Sequence, residues 1–250
     1  MPLPNEAKLA DITLPVGCID PERVAATFAT HGVVILPSLF SIQQMQAARE
    51  SLLAWAATPS SHRPSNHGAV FQVHQTAVVS WGPIQAGDPA FIALRDHPLL
   101  RSLTAAAIGL GATGNGCLVM LSRNGHRQAW HQDTSSADPG QFVLNRLLYL
   151  WDIDPQAGTL YCVPGSHRRG IIPPGEPHES LPDEVGLAPR AGTLVLIHSR
   201  CFHRVSVNAT HDLRFSVNFR AQPAGSTEHL DRYGVYRTGT HDFVTNKAVV

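Results

Sequence analysis

A chain of 250 residues that is 43% hydrophobic has enough apolar side chains to bury a core, as one large domain or two small ones. Its 19 lysines and arginines are matched by 19 aspartates and glutamates, so no basic excess directs it to nucleic acid or an anionic membrane. No apolar run approaches the roughly 20 residues of a membrane span, and the opening MPLPNEAKLADITLPVG lacks the basic-then-apolar order of a signal peptide, so a soluble, cytoplasmic protein is expected. Lys8 and Lys247 are the only lysines, and 14 histidines keep a metal site in view. Cys18, Cys117, Cys162 and Cys201 form no CxxC pair, which disfavours a zinc knuckle and fits buried free thiols.

In chain order, DPERVAATFATHG predicts a helix with Asp20 as N-cap, Pro21 at the first helical position and Gly32 as the stop. VVILPSLF reads as a short buried strand. SIQQMQAARESLLAWAA reads as an amphipathic helix with Ile42, Met45, Leu52, Leu53 and Trp55 near one side. TPSSHRPSNHG is a polar loop, AVFQVHQTAVVSW a strand, and DPAFIALRDHPLLRSLTAAAIG two helical pieces broken at Pro98. From about residue 115 short β-type runs take over: CLVML, RLLYLWDI, TLYCVPG, TLVLIHS, FHRVSV and LRFSVNF. That spacing predicts an antiparallel sandwich or barrel, with the Pro/Gly-rich RRGIIPPGEPHESLPDEVGLAPRAG inserted between strands. A single domain over 1–250 is expected: helix-rich over about 20–112, β core over about 113–222, and a C-terminal extension over 223–250.

The chemistry starts at AWHQD. Alternate residues of a strand share a face, so His131 and Asp133 at a strand end aim at one point. Alone, such a pair is more often a hydrogen-bonded turn than a metal site. LVLIHSRCFHRVSV offers a third ligand, His198 or His203. Two histidines and one carboxylate with open positions is the facial triad of non-haem Fe(II) oxygenases. In LRFSVNFR, Leu213, Phe215, Val217 and Phe219 face one way, and Arg214, Ser216, Asn218 and Arg220 the other. In a barrel the polar face would line the cavity, where the fork of Arg214 suits a carboxylate and Ser216 adds a hydroxyl; on a surface sheet the same face would meet water.

WHQD, LWDIDPQAGTLYCVPGSHRRG and GTLVLIHSRCFHRVSVNATHDLRFSVNF together resemble the phytanoyl-CoA dioxygenase family of Fe(II)- and 2-oxoglutarate-dependent oxygenases, over roughly residues 21 to 222. FATHGVVILPSLFSIQQMQAARESL is similar to the family's N-terminal opening. The resemblance implies a double-stranded β-helix (a jelly-roll, cupin-like) with N-terminal helices, mainly β with flanking α. It implies His131, Asp133 and His203 as iron ligands, Arg214 on the distal carboxylate of 2-oxoglutarate with Ser216 beside it, and Trp151 near the co-substrate. Gln128 is the plausible further contact among Arg123, His126, Arg127, Gln128 and Trp130. His198 then becomes a polar residue near a strand end, His167 a structural part of the PGSH turn, and His62, His67 and His74 loop histidines.

The cofactors implied are Fe(II), 2-oxoglutarate and O2, with ascorbate supportive. The implied reaction is hydroxylation of an unactivated C–H bond of a small molecule, a natural product or amphipathic metabolite of secondary metabolism, with release of succinate and CO2. Family halogenases carry a small residue where Asp133 stands, which argues against halogenation, and the scarcity of lysine argues against a CoA ester. Two other readings stand beside it: a cupin-like hydrolase or isomerase using the triad without 2-oxoglutarate, and a non-catalytic binding domain. Loops 57–69, 134–142 and 170–190 are expected to shape the entrance. The sequence leaves oligomeric state open.

Overall fold

The computed structural model describes residues 6–58, 68–73, 76–84, 86–134, 136–176, 178–227, 232–235 and 239–242. Helices α1 (Glu6–Asp11), α2 (Pro21–His31) and α3 (Ile42–Ala57) precede α4 (Pro89–Arg95) and α5 (Pro98–Ile108), with β1 (Val33–Leu36), β2 (Gly68–Val73) and β3 (Thr76–Trp81) between them. The later strands are β4 (Thr113–Ser122), β5 (Gln128–His131), β6 (Leu144–Leu148), β7 (Leu160–Cys162), β8 (Val185–Leu187), β9 (Leu194–His198), β10 (His203–Val205) and β11 (Arg214–Gln222). A hairpin of β12 (Arg232–Val235) and β13 (Gly239–Asp242) lies in the C-terminal extension.

Local chemistry sets the helix ends. The Asp20 carboxylate accepts the Arg23 N–H at 2.9 Å, Pro21 opens α2, and Gly32 closes it at φ 68°. Ser41 and Gln44 make a reciprocal capping box on α3. Asp88 and His97 cap α4 and α5, which break at Pro98 as expected.

Three expectations are corrected. Met45, Ala48, Leu52 and Trp55 form the buried stripe of α3, but Ile42 and Leu53 are about half exposed, because at 100° per residue they fall on the flank turned from the sheet. The run AVFQVHQTAVVSW is two strands rather than one, since β2 and β3 pair antiparallel with Val73 opposite Thr76. The Pro/Gly-rich insertion contains a short strand, β8, which pairs with β7. His62, His67 and His74 lie outside the described residues. Cys117, Cys162 and Cys201 are free and buried, in keeping with their spacing.

The strands form two facing sheets, one in the order β1-β9-β6-β11-β4-β3-β2 and one in the order β5-β10-β7-β8. Described pairs in both are antiparallel, the jelly-roll arrangement. β9 explains its own apolar run: Leu194 and Leu196 join the core beneath the helices, while Val195 and Ile197 join the core between the sheets. β11 splits the same way. Val217 and Phe219 pack towards the helices, and the alternate residues face the space between the sheets.

Candidate active site

Two neighbouring strands of the smaller sheet bring the histidines together. His131, at the end of β5, pairs directly with His203 at the start of β10, and their rings lie 4.3 Å apart between centroids. Asp133 follows two residues past the strand, where its N–H donates to the Ser199 carbonyl at 2.7 Å and fixes the turn. Its Oδ1 lies 3.4 Å from His131 Nε2, and its Oδ2 lies 3.7 Å from His203 Nε2. One ligand atom from each of the three residues falls within 4.8 Å of the others.

The imidazoles are oriented for binding a cation. His131 Nδ1–H donates to the Ala129 carbonyl at 2.7 Å, and His203 Nδ1–H to the Cys201 carbonyl at 2.8 Å. A carbonyl only accepts, so each neutral ring keeps its proton on Nδ1 and turns a bare Nε2 lone pair inward. Burial pushes His203 down to about 4, and the neighbouring His131 adds to the fall, so this ring is neutral at pH 7. Burial also opposes charge on His131, but Asp133 outweighs it and raises that ring from its ordinary value. Burial would raise Asp133 as well; His203, His131 and Arg220 prevail and hold it well below the usual carboxylate range. Two imidazoles that turn Nε2 towards a firmly ionised carboxylate make the donor set of a divalent metal ion, and without thiolates it suits iron better than structural zinc.

The same cavity contains Gln128, Arg214 and Ser216, and has about 700 Å³ of empty space including its mouth. Arg214 is 7% exposed, has no carboxylate partner among the described residues, and holds its Nε as a buried donor without an acceptor. Burial lowers it from its ordinary value, yet a guanidinium stays cationic in a protein. A buried, unsatisfied cation is costly unless an anion joins it. The fit between this site and a dicarboxylate co-substrate therefore comes from the protein itself. Gly158 passes close by: at φ 106°, a Cβ on it would lie 3.2 Å from the Ser206 carbonyl oxygen and 3.4 Å from Arg214 Cδ.

Not every sequence candidate reaches the cavity. Trp151 packs against Phe215 in a tilted pair, 5.2 Å between ring centroids, and carries Arg49 over its ring, on the helix side of the sheet. Tyr149 takes the inner position instead: it lines the cavity, and burial pushes its hydroxyl up to about 12 against the pull of Arg214. Trp130 faces away from the site, stacked on Phe202, and Arg123, His126 and Arg127 do not line the cavity. His198 is 6% exposed and stacks on Phe142 at 3.9 Å, and its Nδ1 accepts the Arg200 N–H, which takes it out of the ligand set. His167 covers Gly32 and reaches the Ala29 carbonyl, a structural place as expected.

Sequence reasoning also missed Asn145, whose amide meets Asp133, and the bracing role of Gln132. Gln132 Nε2 donates to the carbonyls of Gly170 and Arg200, and its Oε1 accepts the Ile172 N–H, pinning residues 170–172 beside His131 and Asp133.

Comparison with known proteins agrees with this geometry. The chain is 26% identical over 239 residues to the dioxygenase hkm4 of Aspergillus hancockii, covering 85% of this chain and 76% of that protein. Its fold is similar to SnoN, a non-heme alpha-ketoglutarate-dependent epimerase of nogalamycin biosynthesis, with a TM-score of 0.65, 20% identity, and 90% and 91% of the two chains covered. It is also similar to HygX of Streptomyces hygroscopicus, solved with nickel and 2-oxoglutarate, with a TM-score of 0.63, 15% identity, and 90% and 97% covered. The family profile described as phytanoyl-CoA dioxygenase matches residues 28–216, so the chain belongs to the phytanoyl-CoA dioxygenase family and is an iron- and 2-oxoglutarate-dependent dioxygenase.

Proposed function

We propose that this enzyme hydroxylates an unactivated C–H bond of a small natural product, with Fe(II) on His131, Asp133 and His203 and the distal carboxylate of 2-oxoglutarate on Arg214. The observation that carries the reading is a converging His, Asp, His set in the same cavity as a buried guanidinium that has no carboxylate partner among the described residues. Bound iron, with 2-oxoglutarate and O2, supplies the oxidising power for the C–H bond, releasing succinate and CO2.

The chain's own residues bind, aim and exclude water. Arg214 clasps the carboxylate through its fork, and Ser216 and the protonated Tyr149 hydroxyl donate to it. Leu118, Met120, Leu147, Leu160 and Ile197 wall the cavity with apolar surface, keeping water from the reacting centre. Gln128, at the start of β5, is placed to contact substrate or co-substrate. The natural-product setting is supported by SnoN, which serves nogalamycin biosynthesis, and by HygX, solved with hygromycin B.

Anaerobic addition of Fe(II) and then 2-oxoglutarate tests the site: a weak visible charge-transfer band is expected. Metal binding with no such band would favour a hydrolase or isomerase instead. Metabolite screening by succinate release tests the reaction, with a product heavier by one oxygen atom expected. A product of unchanged mass would replace hydroxylation with epimerisation.

A further inference from the structure

Asp133 is held by a directional chain of amides. The Arg146 backbone N–H donates to Asn218 Oδ1 at 3.2 Å, Asn218 Nδ2 donates to Asn145 Oδ1 at 2.9 Å, and Asn145 Nδ2 donates to Asp133 Oδ2 at 2.7 Å. The direction is not arbitrary. A backbone N–H can only donate, so it sets Asn218's oxygen towards itself and Asn218's amino group towards Asn145. That in turn sets Asn145's amino group towards the carboxylate. Asn145 is 2% exposed, so water cannot substitute for its partners.

Three strands meet in this chain. Asn145 is on β6, Asn218 on β11, and Asp133 follows β5 in the opposite sheet. Asn218 is also four residues along β11 from Arg214, on the same face, so the strand that receives the co-substrate also sets the anchor of the metal carboxylate.

We propose that Asn145, anchored by Asn218, is a positioning residue that occupies one oxygen of Asp133 and keeps the carboxylate binding metal through the other alone. The consequence is a coordination count. A facial triad leaves three positions, of which a chelating 2-oxo acid takes two and O2 the last. A carboxylate binding through both oxygens would take one of them. The proposal rests on His131, Asp133 and His203 being the metal ligands.

Asn145→Leu and Asn218→Leu keep size and remove the donors, and the double variant tests whether they act in series. The measurements, on the full chain without oxygen, are Co(II) affinity, the visible spectrum of bound Co(II), whose intensity tracks coordination number, and the affinity of the Co(II) protein for 2-oxoglutarate. In Asn145→Leu, metal affinity is expected to fall about 10–100-fold, with a changed Co(II) spectrum and weaker 2-oxoglutarate binding. Asn218→Leu should fall less, in the same direction, and the double variant should match Asn145→Leu.

Unchanged affinity and spectrum in Asn145→Leu would overturn the proposal, as would losses at the two sites that add. Should Asn145→Leu fail to fold, Asn218→Leu decides alone: it does not touch Asp133, so weakened Co(II) binding supports the chain and wild-type binding overturns it. If wild-type protein bound no Co(II), the ligand assignment itself would fall and this proposal with it.

Discussion

At the scale of single residues, the proposed roles of Arg214 and Tyr149 predict that co-substrate binding and metal binding can be separated. Leaving an anion without its buried cationic partner costs about 2 kcal/mol or more, so Arg214→Ala should weaken 2-oxoglutarate by at least about thirtyfold while Fe(II) affinity holds. Titration of the anaerobic charge-transfer band measures both. Tyr149→Phe removes one neutral donor, worth roughly 1 kcal/mol, and should weaken 2-oxoglutarate about five- to tenfold by the same titration. No change would show that the hydroxyl points elsewhere.

His198 makes a different prediction, about acid stability. Burial first, then His167 and Arg200, push its ring down to about 3. An unfolded histidine titrates near 6.5, so between those values the unfolded chain takes up a proton that the folded chain refuses. Its contribution is whole above about pH 6.5 and is lost as pH falls towards about 3, at roughly 1 kcal/mol per pH unit. His198→Asn keeps an acceptor for the Arg200 N–H but does not titrate. Denaturant melts at pH 7.5 and 5.5 should show a smaller drop in the variant.

At the scale of elements, β11 and the Gly158 turn beside Arg214 form the end of the cavity proposed to receive the co-substrate. Gly158→Ala would force a Cβ against Ser206 and Arg214 in a backbone region that costs about 1–3 kcal/mol for other residues. The expected result is a lower melting temperature together with weaker 2-oxoglutarate binding and little change in metal affinity. Equal weakening of both ligands would indicate general loosening instead.

Periodicity alone makes β11 legible in the sequence: Phe215, Val217 and Phe219 against Arg214, Ser216, Asn218 and Arg220 is a period-two pattern, and both faces lie where it puts them. It is silent at YLWD. β6 ends at Leu148, beyond which alternation does not separate Tyr149 from Trp151; the family resemblance points to the tryptophan, and the aromatic that lines the cavity is the tyrosine. Asn145 has no local signal at all: its partner is twelve residues away, across the gap between sheets. The β2–β3 turn is hidden because an alternating run gives no sign of reversal when the usual turn glycine is missing.

At the scale of the whole molecule, the helices and the larger sheet share one core, and the two sheets share another that surrounds the cavity. A ligand filling that cavity binds only the folded state, so Ni(II) with 2-oxoglutarate at about 100 times their dissociation constants should add about 3 kcal/mol. For a chain of this size that is a rise of about 5–10 °C in Tm, reversed by a chelator. A rise with metal alone and none with 2-oxoglutarate would count against the co-substrate site. Among the described residues, no helix is long and apolar enough to cross a membrane.

Gln132 holds the segment after the PGSH turn entirely through main-chain groups, the carbonyl of Gly170 and the N–H of Ile172. Such a clasp is indifferent to the side chains at 170 and 172, so the root of this segment stays put when those two residues change. Proline at 172 is the exception, since it brings no N–H. Gln132 sits between His131 and Asp133, so the same side chain ties the placement of those two residues to the backbone of this segment.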